Sequence, residues 1–429
     1  MPAHHTQVVR HASSISPHHH RAGRRAATAL LLSLTLISAA PAAATPPPGA
    51  ANAAVITTWN QIAVNTVTAT GASPAAFNYF AFVHLAMYNA VVGITGEYEL
   101  YRWDKHAPTG ASPEAAAAAA AHRVLSNYFP AAATNLDAQL VASLAQVPDG
   151  GAQDKAISYG VRAANHIIAL RMNDGRHAAV VVPVADAPGE WSPTPPGFAP
   201  FASAWLGGVT PIALQSTSQF APGPPPALDS AEYLADLAEV RAIGELNSPR
   251  SAFQSETAKF FSDAGIVPMQ AALREFATRR ALDIDDSARM FAAVDTAIAD
   301  GAGTVWKAKL QYMLWRPVTA IHAEGMTGWT SFVTNPPYPD WPSGLTSAVG
   351  ATSTVLERLY GTLDLKIASA AAGAGPQPRH YVNGATFRDD AVDARVWSGI
   401  HFRFADTAGI TVGTSVANYV VDNYFQPTD

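Results

Sequence analysis

Apolar residues recur at three- and four-residue steps along most of the chain, and this spacing limits the possible folds more than any other feature. A clear series within residues 55–94 consists of Phe80, Val83, His84, Met87 and Val91. Such spacing puts apolar side chains on one face of a helix, whereas few segments alternate as strands do. Of the 429 residues, 48% are hydrophobic and only 14% are charged, so the chain can form a large core. The sequence therefore predicts an all-α fold.

Prolines, glycines and capping residues divide this pattern into separate helices. Ser112 and Pro113 precede an alanine-rich run, which is typical of a helix with a capping serine and a proline in its first turn. The predicted helices cover 55–94 with a new start near 74, 115–128, 134–144, 154–172, 230–244, 255–262, 267–277, 286–312, 343–361, 385–397 and 401–424. The last of them contains Gly409, where we expect a break.

A segment rich in proline and glycine, 183–228, interrupts the helical pattern. It contains five aromatic residues, which favour a packed segment over a disordered one: Trp191, Phe198, Phe201, Trp205 and Phe220. Ordered irregular segments of this length usually cover a functional site. We therefore predict that 183–228 wraps over the site, and that 45–429 form a single domain.

The first 44 residues have the pattern of a secretory signal peptide. Arg21, Arg24 and Arg25 precede an apolar run, and Ala42–Ala44 provide a small-residue cleavage site before a proline cluster. A membrane anchor is the alternative, but the run is short for a span and ends at proline. No later segment is expected to have the length and apolarity of a transmembrane helix, so the sequence predicts a secreted or periplasmic protein with no membrane span after processing.

Cysteine and charge content exclude several other classes of function. The chain has no cysteine, so it can form neither disulfides nor thiolate metal sites, and it has no cysteine nucleophile. Its net charge is −6 and it lacks a long basic run, which argues against a nucleic-acid partner.

The turn 338–345 in the C-terminal half carries Ser343 and Gly344 at the start of a predicted helix. A serine hydroxyl and glycine amide at a helix N-terminus are donors that suit an oxyanion. Lys309 and Arg316 lie upstream and seven residues apart, so on a continuous helix they would project from one face.

Arg395 and His401 lie downstream of the same turn, and His401 is close to a predicted helix N-terminus. Three cations, a serine, an amide and an imidazole would form a site for a tetrahedral oxyanion. Each residue alone also has a structural interpretation, since Lys309 and Arg316 could be solvated and Arg395 could pair with Asp389 or Asp393. The ordered set as a whole favours the oxyanion site.

The ordered motifs resemble those of the superfamily of vanadium-dependent haloperoxidases and type 2 phosphatidic acid phosphatases, and in particular its bacterial haloperoxidase-like branch. The motifs are Lys309-x6-Arg316-Pro317, Pro342-Ser343-Gly344 and Arg395-x5-His401. Further segments that resemble the family are 59–60, 84–90, 239–244, 315–321 and 399–404. The resemblance covers nearly the whole mature chain and implies an α-helical bundle with the oxyanion site at one end of its core.

The resemblance also implies a role for each motif residue. The side chains that would neutralise the oxygens of bound vanadate are Lys309, Arg316 and Arg395. Ser343 and the Gly344 amide would donate to those oxygens, and phosphate can occupy the same site. His401 would be the catalytic residue, as axial ligand to vanadium or as nucleophile toward phosphorus.

Three positions depart from the family pattern. Leu345 stands where the family has an acid–base histidine, and Ala394 stands where it has a serine. The carboxylate expected one turn after His401 is displaced to Asp406, which we still expect to orient the imidazole. Because leucine cannot transfer a proton, and general acid–base catalysis contributes on the order of 10²–10⁴-fold, Leu345 predicts impaired or diverted activity.

His322, His380 and Asp340 are the residues that could replace the lost imidazole. The sequence does not place any of them at the site, and the two histidines equally suit ordinary surface or loop positions.

We expect an exported haloperoxidase that oxidises halide with hydrogen peroxide at a bound vanadate. Two alternatives are an acid phosphatase acting through a phosphorylated His401, and an oxyanion-binding relative without catalysis. The expected partners are small molecules, namely peroxide, halide and an organic acceptor or phosphate ester. Family analogy also suggests a homodimer.

Overall fold

The chain is helical through most of the residues that the structure, a computed structural model, describes: 52–71, 74–183, 185, 187–263, 265–368 and 378–428. These residues form thirteen α-helices: α1 (Ala54–Thr68), α2 (Ala76–Thr95), α3 (Pro113–Tyr128), α4 (Ala133–Leu144), α5 (Gly151–Leu170), α6 (Ala231–Ile243), α7 (Ala252–Asp263), α8 (Ile266–Arg279), α9 (Ile284–Tyr312), α10 (Pro317–Ala323), α11 (Gly344–Tyr360), α12 (Gly384–Trp397) and α13 (Arg403–Asn423). The all-α prediction is confirmed. The predicted signal peptide, 1–44, lies outside the described residues.

Capping side chains begin several helices where the sequence predicts them. Ser112 Oγ accepts the Ala115 amide at 3.2 Å at the start of α3. Ser230 does the same for Tyr233 at the start of α6. Each bond satisfies one of the amides that a helix N-terminus leaves unpaired.

The long helix α9 forms the centre of the bundle. Its 29 residues are buried along most of their length, and it packs against α2, α11 and α13. Two clusters of buried apolar residues result. The larger lies around α2, α3, α9 and α11, and the smaller contains Trp315, Trp341, Phe402 and Phe404 beside the motif turns.

Helix α2 corrects one expectation from the sequence, that no later segment has the length and apolarity of a membrane span. Its 20 residues are long and apolar enough to cross a membrane, but 89% of its most apolar window is buried inside the bundle. A helix surrounded by other helices is apolar on all faces because all faces exclude water.

Helix α13 is continuous through Gly409, so the predicted break is wrong. The glycine instead allows α13 to approach the start of α11. A Cβ atom at Gly409 would lie 2.4 Å from the Ser343 carbonyl oxygen. The absence of a side chain at Gly409 therefore allows α13 to pack closely against the backbone of Ser343.

Two kinds of short element were not predicted. Helix α10 has seven residues, too few to show a helical period, and it begins at Pro317. Strands β1 (Leu365–Ile367) and β2 (Arg379–Tyr381) form a small antiparallel pair. Their three-residue lengths are equally short for detecting alternation.

The irregular segment 183–228 contains a short 3₁₀ helix, Ala204–Gly208, and is tied to the elements that carry the motifs. Its Trp191 amide donates to the Met313 carbonyl at 2.6 Å, and its Ala202 amide donates to Pro337 at 2.8 Å. Asp300 on α9 accepts three further amides of the segment, those of residues 212–214. The segment therefore runs along the ends of the helices that form the candidate site.

Candidate functional site

All six residues predicted for the site lie in the described chain, and they come together where five helix ends meet. They are Lys309, Arg316, Ser343, Gly344, Arg395 and His401. Among them, the side chains of Lys309, Arg316 and Ser343 are fully buried, and those of Arg395 and His401 nearly so. The three cations and the imidazole interact electrostatically with one another and with two carboxyl groups, Asp340 and Asp406.

Lys309, in the last turn of α9, is held by the backbone of the turn 338–345. Its Nζ donates to the carbonyls of Pro339 at 2.6 Å and Asp340 at 2.9 Å. An ammonium group has three N–H bonds, so one remains for a ligand. Burial lowers the pKa of Lys309 well below its usual range, and the nearby Arg316 lowers it further.

Arg316 reaches the site in a different way from that expected. Helix α9 ends at Tyr312, Met313 has a φ of +45°, and Arg316 is the residue before α10. The prediction that Lys309 and Arg316 share one face of a continuous helix is therefore wrong. A turn in the chain, and not helical periodicity, brings the two cations together.

Backbone carbonyls of two other segments orient the Arg316 guanidinium. Its Nε donates to Tyr338 O at 2.7 Å, and its Nη1 donates to Ile400 O at 2.6 Å. Its Nη2 is buried and has no hydrogen-bond partner among the described residues. This nitrogen is available to an acceptor that the protein itself does not supply.

Ser343 and Gly344 begin α11 as predicted. The Ser343 amide donates to Ala405 O at 2.9 Å. The first amides of α11, like those of any α-helix, have no partners within the helix. The Ser343 hydroxyl is also buried beside the Asp406 carboxyl, and it makes no well-formed hydrogen bond among the described residues. A buried helix N-terminus with a free hydroxyl favours an anion.

Arg395 lies in the last turn of α12, and His401 lies in the turn before α13. Gly399 makes this turn with a φ of +77°, and a Cβ atom there would lie 2.2 Å from the Gly244 carbonyl oxygen. Arg395 Nε is buried without a partner among the described residues. The alternative partner Asp393 instead binds Arg403 at 2.7 Å.

The carboxylate that orients His401 is Asp340, and the expectation of Asp406 in this role is wrong. Asp340 Oδ1 lies 2.7 Å from His401 Nδ1. This contact favours a proton on Nδ1 and leaves the lone pair on Nε2. Asp340 stands three residues before Ser343, so its position in the turn 338–345 was the available sequence signal.

Burial raises the pKa of Asp340 to about 7, although Arg316 and Lys309 both lower it. Burial also lowers the pKa of His401 well below its usual range, and Arg316, Arg395 and Lys309 contribute to the same direction. The imidazole is therefore held neutral, which is the form that binds a metal centre or attacks phosphorus.

Asp406 lies in the first turn of α13, next to the Ser343 side of the site. Both of its carboxyl oxygens are buried without a hydrogen-bond partner of good geometry among the described residues. Burial raises the pKa of Asp406 well above its usual range, and Arg395 lowers it only in part. A protonated Asp406 is a proton donor and does not repel an anion in the site.

The two histidines considered as replacements for the lost imidazole are engaged elsewhere. His322 Nε2 lies 2.8 Å from Trp329 O, and His380 Nε2 lies 2.6 Å from Asp364 Oδ1 at a half-exposed position. Leu345 itself is partly buried against the apolar core, beside Gly344. Neither histidine therefore supplies an imidazole beside Gly344.

The buried polar atoms show what the site can hold. Three unpaired donors converge there, namely Arg316 Nη2, Ser343 Oγ and Arg395 Nε. Buried cations are costly unless an anion pairs with them, and each unpaired buried donor costs about 1–3 kcal/mol. The donor set therefore fits a tetrahedral oxyanion such as vanadate or phosphate.

Comparisons with known proteins identify relatives of the C-terminal part of the chain. Residues 289–429, which contain all three motifs, match the family model of the VCPO second helical-bundle domain. The vanadium chloroperoxidase of Curvularia inaequalis is 25% identical over 192 residues. That alignment covers 32% of this chain and 32% of the relative, so the match spans about a third of the relative's length.

Solved structures show the same fold over most of the chain. The first bacterial vanadium-dependent iodoperoxidase superposes with a TM-score of 0.74 at 23% identity, covering 88% of this chain and 96% of that one. An apo bacterial vanadium-dependent chloroperoxidase gives a TM-score of 0.67 at 16% identity, covering 81% and 92%. The described chain thus has the fold of the bacterial vanadium haloperoxidases.

Proposed function

Taking the haloperoxidase fold and the matched C-terminal domain as the premise, we propose that this chain is a vanadate-dependent peroxidase that oxidises halide with hydrogen peroxide. In that reaction hydrogen peroxide, halide and a proton become hypohalous acid and water. The observation that carries the proposal is that Arg316 Nη2, Ser343 Oγ and Arg395 Nε, buried donors without a well-formed hydrogen bond among the described residues, belong to one cluster of interacting side chains.

Each residue of the site has a specific task in binding vanadate. Lys309, Arg316 and Arg395 would neutralise its oxygens, and the Ser343 hydroxyl and Gly344 amide would donate to them. His401 would bind the metal through Nε2, because Asp340 engages Nδ1 at 2.7 Å. Bound vanadate would supply the Lewis acid that activates the peroxide.

Asp406 is our candidate for the proton transfer that Leu345 cannot perform. Its carboxyl group lies beside the Ser343 hydroxyl, and burial favours the protonated form by raising its pKa well above the usual range. A carboxyl group in this state can donate a proton and take it back, as general acid–base catalysis requires.

The test is turnover by purified protein loaded with orthovanadate. It would receive hydrogen peroxide, iodide or bromide, and a dye that accepts halogen, with vanadate-free protein and a His401→Ala variant as controls. We expect turnover that requires both vanadate and His401. Absence of turnover by protein that calorimetry shows to have bound vanadate would refute the proposal.

Phosphatase activity is the second candidate, and the neutral imidazole favours it. His401 Nε2 could attack phosphorus, with the same cations stabilising the phosphoryl oxygens. The aryloxide of an aryl phosphate leaves without protonation, whereas the alkoxide of an alkyl phosphate needs a proton from an acid. Hydrolysis of aryl phosphates by vanadate-free protein would support this function, with alkyl phosphates hydrolysed only where Asp406 supplies the proton, and inertness toward both would exclude it.

Export of the protein is also proposed, on the pattern of residues 1–44 alone. N-terminal sequencing of protein recovered outside the cytoplasm would test it. A mature chain that begins near residue 45 is the expected result, and a chain retaining residues 1–44 would contradict it.

A further inference from the structure

An apolar cavity of about 150 Å³ lies directly beside the oxyanion site. Its walls include Phe77, Phe261, Met269, Trp306, Tyr338 and Leu345, and none of its lining residues is charged. Leu345, which breaks the family pattern, is therefore part of an apolar wall. Where the family has a proton-donating side chain, this chain has a leucine that lines an apolar cavity.

Two residues border both the cavity and the oxyanion site. Tyr338 and Gly344 line the cavity, and Tyr338 O accepts from Arg316 Nε at 2.7 Å. The Tyr338 ring centre lies 5.1 Å from Lys309 Nζ and 5.0 Å from the Arg316 guanidinium carbon. A molecule in the cavity would thus have its end next to the oxyanion.

The cavity walls offer few polar groups to hold water. Trp306 Nε1 is engaged, since it donates to Ala202 O at 3.1 Å, and the indole ring lies 4.9 Å from the Tyr338 ring between centres. Apolar cavities stay dry, and one of about 150 Å³ lined by leucine, isoleucine and phenylalanine is known to take benzene. The dimensions here match one aromatic ring.

We propose that this cavity binds a single aromatic ring of the organic substrate, positioned so that the ring's substituted edge meets the oxyanion site. The reaction assigned to the ring rests on the proposed function. There, hypohalous acid would halogenate the ring, forming a carbon–halogen bond, breaking the oxygen–halogen bond and releasing the ring proton in water.

Two phosphonates test the proposal without turnover. Phenylphosphonate and methylphosphonate carry the same anion, and only the first carries a ring. Calorimetry with vanadate-free protein should show phenylphosphonate binding on the order of 10- to 100-fold more tightly, because the ring buries apolar surface. Equal affinities would overturn the proposal.

Variants locate the effect. Ala348→Trp fills the cavity from α11 and should abolish the preference for the phenyl compound, whereas Ala408→Trp, a partly buried alanine of α13 outside the cavity, should retain it. A preference unchanged in Ala348→Trp would overturn the proposal. Leu345→Ala serves if the tryptophan variant does not fold, and it should admit the two-ring naphthylphosphonate, which the native protein excludes.

Fluorobenzene, followed by fluorine NMR, separates this inference from the proposed function. If neither phosphonate binds but fluorobenzene binds and Ala348→Trp abolishes that binding, the aromatic site stands and the oxyanion function fails. If vanadate-dependent turnover is found but the native protein binds neither fluorobenzene nor the phenyl compound preferentially, the aromatic site fails alone.

Discussion

Asp340 Oδ1 lies 2.7 Å from His401 Nδ1, across 61 residues of sequence, and both side chains are buried. The contact joins the second motif to the third. It also favours the lone pair on His401 Nε2, which lies 3.1 Å from Arg316 Nη1 and is the atom that would meet vanadium or phosphorus.

Asp340→Ala should lower vanadate-dependent turnover by roughly 10- to 100-fold, the usual cost of removing the group that orients a metal-binding histidine. Asp340→Asn retains an acceptor for Nδ1–H and should retain more of the activity. Because Asp340 positions His401, the loss in Asp340→Ala should appear as weaker vanadate binding and a shifted pH profile. Equal, full activity in both variants would show that the contact has no part in catalysis.

Arg395→Met should weaken phosphate binding by roughly 10- to 100-fold, because one charge-assisted donor is worth about 1.5–3 kcal/mol. The anion-free protein should lose little stability or gain some, since the variant removes a buried cation with an unpaired Nε. The matched control is Arg171→Met. Arg171 is equally buried but paired with Asp174 at 3.0 Å, so that variant should melt at a lower temperature and bind phosphate normally.

In the Asp406→Asn background, Leu345→His should raise vanadate-dependent halide oxidation by about 10²-fold, because it supplies an acid–base group at the start of α11 to a site that has lost one. The same change puts a polar ring into the apolar wall, so affinity for phenylphosphonate should fall. Steady-state kinetics and calorimetry measure the two effects. Unchanged turnover in that background would show that an imidazole at position 345 does not reach the site.

Asp406→Asn should lower turnover on the order of 10²-fold while sulfate affinity stays within about twofold, because an amide keeps the shape but cannot transfer a proton. Asp422→Asn, on the exposed end of α13, serves as the control and should behave as the native protein. A proportional loss of turnover and of sulfate binding in Asp406→Asn would assign Asp406 to the structure of the site and not to proton transfer.

Sulfate affinity should fall on the order of tenfold between about pH 6 and about pH 8. Sulfate keeps its charge over this range, but Asp340, whose pKa burial raises to about 7, becomes an anion beside the site as the pH rises. Lys309, whose pKa burial lowers, loses positive charge in the same direction. Calorimetry across this range should give a shallower dependence for Asp340→Asn, and an affinity that rises with pH would contradict this charge assignment.

Much of the fold could be predicted from the sequence because helix formation leaves local signals. Ser112 and Ser230 cap helices where their sequence context indicates, and apolar spacing located the longer helices. Elements of three to seven residues, such as β1, β2 and α10, carry too few positions to show a period. Helix α2 is long and apolar enough to cross a membrane, contrary to the expectation from the sequence, and its burial on all sides explains this apolarity.

By itself, the sequence determined the all-α class, because helical periodicity is readable along the chain, and its short ordered motifs predict the six residues of the candidate site. Only the tertiary structure decided how those residues meet. The turn at Met313 brings in Arg316, Asp340 rather than Asp406 pairs with His401, and Leu345 faces an apolar cavity. These relationships join residues far apart in sequence, so they depend on how helices pack and where they end, which local patterns do not encode.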